Sequence, residues 1–186
     1  MAGFLRAAAA VITETGFDGA TMSAIAERAG SCIGSLYQFF PNKHSVAEAL
    51  RAECVADGTE PWAALAREAA SLSAQHLVRR LVGLQIEIVT SHPVLLALLD
   101  VPTTPHTLTL RQQVRRRIAA VLAAHRPGMA PRAAMQTAAV VQQVSRGLLA
   151  LYAQATAEER PALIGEFEAV LGGYLLPKLA HTRTEG

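Results

Sequence analysis

The sequence predicts an all-α protein in which a small N-terminal three-helix domain precedes a larger helical bundle. The 186 residues are 51% hydrophobic and 17% charged, which is the composition of a folded globular chain rather than a disordered one. Alanine and leucine dominate and aromatic residues make up only 5%, a balance that favours helices. Apolar residues recur at helical spacing in every segment, and the sequence shows neither a strand pattern nor an internal repeat.

The first two helices are short and each is expected to end at a glycine. Residues 2–15 carry one apolar stripe, which Gly16 ends. Thr21 is a good N-cap for the second helix because its side-chain oxygen can accept a hydrogen bond from a free backbone N–H. Gly30 is expected to end this second helix.

The third helix follows the short turn at Ser31 and Cys32. Its apolar positions at i, i+3, i+4 and i+7 are Ile33, Leu36, Tyr37 and Phe40, of which Leu36 and Phe40 are expected to face the core. Pro41 breaks this helix, and Asn42 can cap a fourth helix that starts at Lys43. Two short helices joined by a tight turn after a glycine predict a helix-turn-helix layout for this part of the chain.

The rest of the chain reads as a series of longer helices. The segment 57–61, which contains a glycine and a proline, predicts a kink in a helix over residues 43–70. Apolar stripes at helical spacing predict further helices at 74–90, 93–99, 107–125 and 131–155.

Two apolar helices close the chain. Residues 131–155 are apolar or small on nearly all sides, which predicts burial against several neighbours. Thr156 and Glu159 form a possible capping box for a last helix that begins between 157 and 161, and Pro177 is expected to end it. These two helices packed against their copies would form a four-helix interface about a two-fold axis, so we expect a homodimer. A buried pair of helices within a monomer is the alternative.

Residues 4–50 resemble the DNA-binding segment of the TetR (tetracycline-repressor) family of transcriptional regulators. Three motifs carry the resemblance in order and spacing: GFDGAT, IAERAG and GSLYQFFPNK. The resemblance implies a homodimer whose N-terminal helix-turn-helix domain, residues 1–50, binds a palindromic operator in double-stranded DNA. It also implies a C-terminal domain, residues 51–186, that dimerises and binds a small-molecule effector, which releases the DNA.

The third helix is expected to lie in the major groove with its N-terminal residues toward the base edges. Gly34 allows a close approach, Ile33 can contact a thymine methyl group, and Tyr37 can send its hydroxyl to a phosphate. Lys43 stands at the N-terminus of the fourth helix, where an ammonium and free N–H groups favour a phosphate. The predicted DNA-binding residues are Thr21, Ser31, Cys32, Ile33, Gly34, Ser35, Tyr37, Gln38, Phe39 and Lys43.

Several of these assignments have a plainer alternative. Thr21 could act as a cap alone, Tyr37 and Phe39 could be core aromatics, and Lys43 could be a solvated lysine. The net charge of residues 1–50 is −1. Because neutralising phosphates drives much of DNA affinity, we expect this domain to bind weakly by itself. We also expect that a basic N-terminal arm is missing from this chain.

The effector pocket is expected among the helices that follow residue 74, with mostly apolar walls and a few polar groups for orientation. His92 precedes Pro93 and could instead cap a helix. Gln142 and Arg146 could instead bridge the dimer interface. The predicted ligand-binding residues are Trp62, Gln85, Val89, His92, Leu96, Leu99, Gln142, Arg146 and Tyr152. The basic run Arg111, Arg115, Arg116 and Arg117 is interpreted as the solvated face of its helix.

The sequence shows no constellation that would indicate an enzyme. Its six histidines lack metal-ligand spacing, and it contains neither a glycine-rich phosphate loop nor a nucleophile elbow. We therefore expect no cofactor and no metal. Two unclustered cysteines suit a reducing cytoplasm, and no apolar run reaches membrane-spanning length. Cys32, near a helix N-terminus, is either a small turn residue or a redox-active thiol.

These observations predict a cytoplasmic DNA-binding transcriptional regulator. We expect a repressor that a small, largely apolar effector releases from its operator. One alternative is a helical ligand-binding or scaffold dimer that has lost DNA binding, which the negative charge of the first domain leaves open. The other is a helical-bundle enzyme.

Overall fold

The computed structural model describes residues 1–102 and 104–180, and all regular elements in these ranges are helices. The all-α fold class is confirmed. The α-helices are α1 (Ala2–Gly19), α2 (Met22–Arg28), α3 (Ile33–Phe39), α4 (Lys43–Asp57), α5 (Thr59–Glu68), α6 (Ala74–Ser91), α7 (Val94–Ala97), α8 (Pro105–His125), α9 (Pro131–Gln154) and α10 (Arg160–Leu179). A 3₁₀ turn, Ala69–Ser71, follows α5.

The predicted local signals at the start of the chain are present in the structure. Gly16 has a left-handed φ of 73°, which breaks α1 and leaves a single further turn before Ala20. The Thr21 hydroxyl accepts from the backbone N–H of Ala24 at 3.1 Å, as an N-cap should. The Asn42 carboxamide likewise accepts from the N–H of Ser45 at 2.9 Å.

Two predicted helix boundaries were wrong. The kink expected in a helix over 43–70 is a complete break at Gly58, and Pro61 falls in the first turn of α5, where its missing N–H costs no intrahelical bond. Pro177 does not end the last helix, which continues to Leu179. One lost backbone bond is tolerated there because Leu175 and Leu179 on either side of Pro177 are both fully buried.

The described chain forms two compact units, each discontinuous in sequence. The first unit contains Met1–Asp57 and Val89–Leu110, and the second contains Gly58–Ile88 and the chain from Arg111 onward. These compact units do not test the predicted functional domains, residues 1–50 for DNA binding and residues 51–186 for ligand binding and dimerisation, which stay a prediction. None of the described helices is long and apolar enough to cross a membrane.

The core of the first unit draws on all of its helices from α1 to α4 and on α7. Its buried members include Ile12, Ile25, Leu36, Leu50 and Leu98. The predicted core positions of α3 are confirmed, since Leu36 is 0% exposed and Phe40 is 5% exposed. Each such side chain stabilises the fold by about 1.5–3 kcal/mol when fully buried, so one side of α3 is firmly attached to the rest of the unit.

The second unit buries a stripe from each of its longer helices. Its largest fully buried side chains are Leu65, Leu77, Leu81, Ile118, Leu122, Leu171 and Leu175. His125, at the end of α8, is also buried, and its Nδ1 lies 2.8 Å from the carbonyl oxygen of Ala69. This contact satisfies a carbonyl of the 3₁₀ turn that follows α5.

Candidate nucleic-acid interface

A tight turn joins α2 to α3. Gly30 has a left-handed φ of 64°, and its N–H donates to the carbonyl of Glu27 at 2.9 Å. The N–H of Ser31 donates to the carbonyl of Ala26 at 3.0 Å, so the last carbonyls of α2 are satisfied by the turn itself. This geometry directs the chain into α3 and fixes which side of α3 is buried.

The outer side of α3 is exposed although it carries large apolar groups. Ile33 is 41% exposed and Tyr37 is 49% exposed, one helical turn apart. A Cβ placed on Gly34 would have no atom within 4 Å, so the chain's own packing does not require glycine there. Thr21, Cys32 and Gln38 are also exposed, whereas Ser31 and Ser35 are half-buried. The structure thus places Ser31 and Cys32 directly before α3 and Ile33 to Gln38 on it, whereas Thr21 caps the N-terminus of α2.

Cys32 and Ser35 contact each other at the start of α3. The Sγ atom of Cys32 lies 3.1 Å from the Oγ atom of Ser35. The hydroxyl of Ser35, with the backbone N–H groups of the first turn, holds the pKa of the exposed Cys32 thiol below its usual value. Burial does the opposite to Cys54 in α4 and raises its pKa to about 12.

Phe39 packs against α1 and is also partly exposed to solvent. Its ring centroid lies 5.9 Å from that of Phe4 in α1, in a tilted arrangement, while the residue stays 51% exposed. The contact attaches the C-terminal end of α3 to the N-terminal part of α1. Phe39 is therefore partly a packing residue, as the core-aromatic alternative allowed, although the sequence did not identify its partner Phe4, which lies 35 positions away.

Lys43 is placed differently from the expectation that it presents its ammonium to a phosphate. Its Nζ donates to the backbone carbonyls of Phe17, Asp18 and Ala20 at 2.6, 3.1 and 2.9 Å. The same Nζ lies 4.5 Å from the centroid of the Phe17 ring. Three N–H donors meet three acceptors, so in this structure the ammonium closes the corner between α1 and α2 and has no donor left.

Little positive charge is available on this surface. Arg28 donates to both carboxylate oxygens of Glu14, at 2.9 and 2.6 Å. This partner lowers the pKa of Glu14 and raises that of Arg28. With Lys43 held by carbonyls, Arg6 is the remaining basic side chain of residues 1–50, and it makes no ion pair among the described residues.

The predicted ligand-binding residues divide between the two units. In the first unit Val89 is buried, Leu96 and Leu99 are half-buried, and the Nε2 atom of His92 lies 3.6 Å from a carboxylate oxygen of Asp57. That contact ties the start of the α6–α7 connection to the end of α4.

In the second unit the candidates are partly occupied by protein contacts. Trp62 and Tyr152 are buried, and the guanidinium of Arg160 lies over the Tyr152 ring at 4.8 Å. The side-chain amide of Gln85 donates to its own helix, at the carbonyl of Leu81, over 2.9 Å. Gln142 and Arg146 are half-buried on α9. In the described residues no group of three or more His, Cys, Asp or Glu side chains could hold a metal ion.

The packed pair α9 and α10 leaves apolar side chains uncovered in the single chain. Val140 and Leu151 on α9 are 41% and 53% exposed. Val170 and Leu176 on α10 are 47% and 38% exposed. The prediction that α9 is buried on several sides is thus not met within one chain, and a further partner would be needed to cover it.

Two sequence profiles of known families match the chain. Residues 4–50 match the profile described as bacterial regulatory proteins, tetR family. Residues 60–175 match the profile described as tetracyclin repressor-like, C-terminal domain. No curated protein sequence matches the chain.

Several solved structures share the fold at low sequence identity. FadR of Bacillus halodurans, a fatty acid degradation regulator, is 16% identical with a TM-score of 0.64, covering 92% of this chain and 97% of that one. FadR of Bacillus subtilis, solved with stearoyl-CoA, is 16% identical with a TM-score of 0.64, covering 97% and 99%. A TetR variant of Acinetobacter baumannii AYE, solved with minocycline, is 16% identical with a TM-score of 0.65, covering 96% and 97%.

Proposed function

Because the chain belongs to the TetR family of bacterial regulatory proteins, we propose that it is a repressor that a small, largely apolar effector releases from a palindromic operator. The family consists of DNA-binding transcriptional regulators without enzymatic activity, so the chain is a DNA-binding regulator and not an enzyme. The observation that carries the proposal is α3, whose inner side is fixed in the core while Ile33 and Tyr37 remain exposed on the outer side. Such a regulator acts in the cytoplasm, where the operator is.

On DNA, α3 would enter the major groove with its first turn toward the bases. Ile33 would pack on a thymine methyl group, and Ser35 and Gln38 would hydrogen-bond base edges or phosphates. Tyr37 would donate its hydroxyl to a phosphate. In a two-fold dimer the two copies of α3 would read half-sites about 34–36 Å apart, or a multiple of that spacing.

The dimer would form through α9 and α10. The exposed apolar side chains on these helices, Val140 and Leu151 on one and Val170 and Leu176 on the other, support this because a second copy would cover them. A two-fold interface of this kind uses the same patch on both subunits, which makes a four-helix arrangement.

The effector would bind in the second unit, where Trp62, Gln85, Gln142, Arg146 and Tyr152 remain the proposed contacts. Structural relatives were solved with stearoyl-CoA and with minocycline, which supports a small-molecule effector for this chain but does not name it. The sequence-based candidates in the first unit, Val89, His92, Leu96 and Leu99, remain predictions of the same kind.

A second function, a ligand-binding or scaffold dimer without DNA binding, is favoured by one observation. Two of the three cations in residues 1–50 are engaged within the chain: Arg28 by Glu14, and Lys43 by backbone carbonyls. Such a protein would bind no duplex even at low salt, since non-specific binding depends on neutralising phosphates.

The two functions are separated by a mobility-shift assay on the DNA that flanks the chain's own gene, carried out over a range of salt concentrations. The variant Tyr37→Ala removes an exposed side chain of α3 and should lower affinity about tenfold or more, with no change in melting temperature. Leu108→Ala, at a comparably exposed position on α8, is the matched control and should bind as the unmodified chain does. Absence of a complex at low salt, or full binding by Tyr37→Ala, would exclude the proposed use of α3.

A further inference from the structure

An unbroken stretch of the chain carries arginine without any acidic residue. Residues 101–157 contain no Asp or Glu. The same residues contain Arg111, Arg115, Arg116, Arg117, Arg126, Arg132 and Arg146. For a chain whose net charge is only +2, this is a strong local excess of positive charge, and most of it falls on α8 and α9.

The structure gathers part of this charge where α8 meets α9. The side-chain amide of Gln142 on α9 donates to the backbone carbonyl of Arg111 on α8 at 2.8 Å. Its oxygen accepts from the Nε of Arg115, one turn further along α8, at 3.3 Å. Arg146 lies one turn beyond Gln142, on the same side of α9. The solvated-face interpretation therefore does not fit Arg111 and Arg115, which are half-buried.

Three carboxylates of the second unit pair with arginines that lie outside α8 and α9. Its described ion pairs join Glu60 to Arg67, Glu68 to Arg80 and Glu168 to Arg79, none of which involves α8 or α9. Among the described residues no carboxylate lies within ion-pair distance of the Arg111 or Arg115 guanidinium. Burial, followed by the nearby charge of Arg146, lowers the pKa of Arg111.

A buried hydroxyl lies on the same side of α9. Ser145 is 5% exposed, and its Oγ is buried without a hydrogen-bond partner in the described structure. Positions 142, 145 and 146 fall within less than a third of the circumference of an α-helix. A buried hydroxyl without a partner is unfavourable, and an oxygen of a bound molecule on this side of α9 would supply the acceptor.

We propose that Arg111, Arg115 and Arg146, of which the Arg115 side chain is held by Gln142, bind an anionic group of the effector, either a carboxylate or a phosphate. The inference rests on the proposed control of this regulator by a small molecule, and it narrows the effector class from apolar to amphipathic and anionic. Guanidinium groups suit this task because they make paired, charge-assisted hydrogen bonds to planar or tetrahedral oxyanions. An anion would also supply the negative charge that Arg111 and Arg115 lack within ion-pair distance among the described residues, which a neutral ligand could not do.

The test compares three probes with the same ten-carbon chain: decanoate, decyl phosphate and the neutral decanamide. Isothermal titration calorimetry on the full chain should show at least one of the two anions binding about tenfold or more tightly than the amide. That ratio corresponds to about 1.4 kcal/mol. Whichever of decanoate and decyl phosphate binds more tightly identifies whether a carboxylate or a phosphate is recognised.

Variants then locate the binding group. Arg111→Gln and Arg146→Gln should each lower the preference for the anion over the amide, while Arg116→Gln, an exposed arginine on the same helix, should keep it. Arg111→Lys keeps the charge and should retain part of the preference, which guards against a variant that fails to fold. Equal binding of anion and amide, no binding of either anion, or an equal loss in Arg116→Gln would overturn the proposal.

The outcome is independent of DNA binding. If the mobility shift on operator DNA is normal but the anion preference is absent, the effector class is wrong and the regulator assignment stands. If the anion preference is present but no DNA is bound, the chain is an anion-binding protein and the proposed repressor function fails.

Discussion

Replacing Lys43 by methionine separates two roles that a lysine at this position could have. The variant Lys43→Met keeps an unbranched apolar stem beside Phe17 but removes the ammonium. In the structure that ammonium donates three hydrogen bonds, to the carbonyls of Phe17, Asp18 and Ala20. The substitution therefore leaves three carbonyls at the α1–α2 corner without their donor, two of them only partly accessible to water.

The expected loss of stability follows from these contacts. A hydrogen bond that involves a charged group contributes about 1.5–3 kcal/mol. Because Lys43 is only half-buried, water would replace part of the hydrogen bonding that the substitution removes. We therefore expect the free energy of unfolding to fall by about 2 kcal/mol for the three bonds together. For a chain of this size that loss corresponds to a fall in melting temperature of roughly 4–8 °C, measurable by circular dichroism.

DNA binding by the same variant gives the second measurement. If the ammonium positions the α1–α2 corner, Lys43→Met weakens binding on all sequences and leaves the dependence of affinity on salt unchanged. If it neutralises a phosphate, the slope of log affinity against log salt becomes shallower by about 0.9 for each lysine removed. Fluorescence anisotropy on one duplex over a salt series distinguishes the two.

Arg116→Met removes an exposed cation from α8, far along the sequence, and should change neither melting temperature nor salt slope. A Lys43→Met protein that melts with the unmodified chain and has the shallower slope would show that the sequence-based expectation of a phosphate contact was right and the positioning role wrong.

Three further predictions concern thiols, glycines and the subunit interface. At pH 8 iodoacetamide should alkylate Cys32 well before Cys54, because their pKa values are shifted in opposite directions, and mass spectrometry of timed samples will show the order. Gly30→Ala should destabilise the fold by about 1 kcal/mol because of its positive φ, whereas Gly34→Ala should leave urea stability intact and lower operator affinity. Leu151→Glu should convert a dimer to monomers in analytical ultracentrifugation, since this residue is 53% exposed in the single chain.

Features that depend on nearby residues were predictable from the sequence. Thr21 and Asn42 cap their helices through residues only three positions away, and the buried side of α3 follows from helical spacing. The ends of helices were less predictable when the deciding contacts came from elsewhere. Pro177 lies inside α10 because the surrounding leucines are buried against other elements, which no local rule can register.

Contacts between distant residues explain what the sequence did not reveal. Lys43 meets carbonyls 23 to 26 positions earlier, which the left-handed conformation of Gly16 turns toward it. Gln142 meets Arg111 and Arg115, 31 and 27 positions away, so its role as a bridge between two helices inside one chain depends on the fold. In both cases a polar residue expected to face a ligand was found to organise the backbone around it.

The distribution of charge leads to a particular kind of DNA recognition. Residues 1–50 carry a net charge of −1, and two of their three cations are held by Glu14 or by backbone carbonyls. A surface of this kind neutralises few phosphates, so its affinity should depend only weakly on salt and its non-specific binding should be poor. Affinity must then come from contacts that read the groove itself, such as Ile33 on a methyl group and Gln38 on a base edge. Because the electrostatic attraction to DNA of any sequence is weak, discrimination between the operator and other DNA should depend mainly on the contacts of α3. Substituting a residue on the outer side of α3 should therefore change specificity more than substituting any exposed cation.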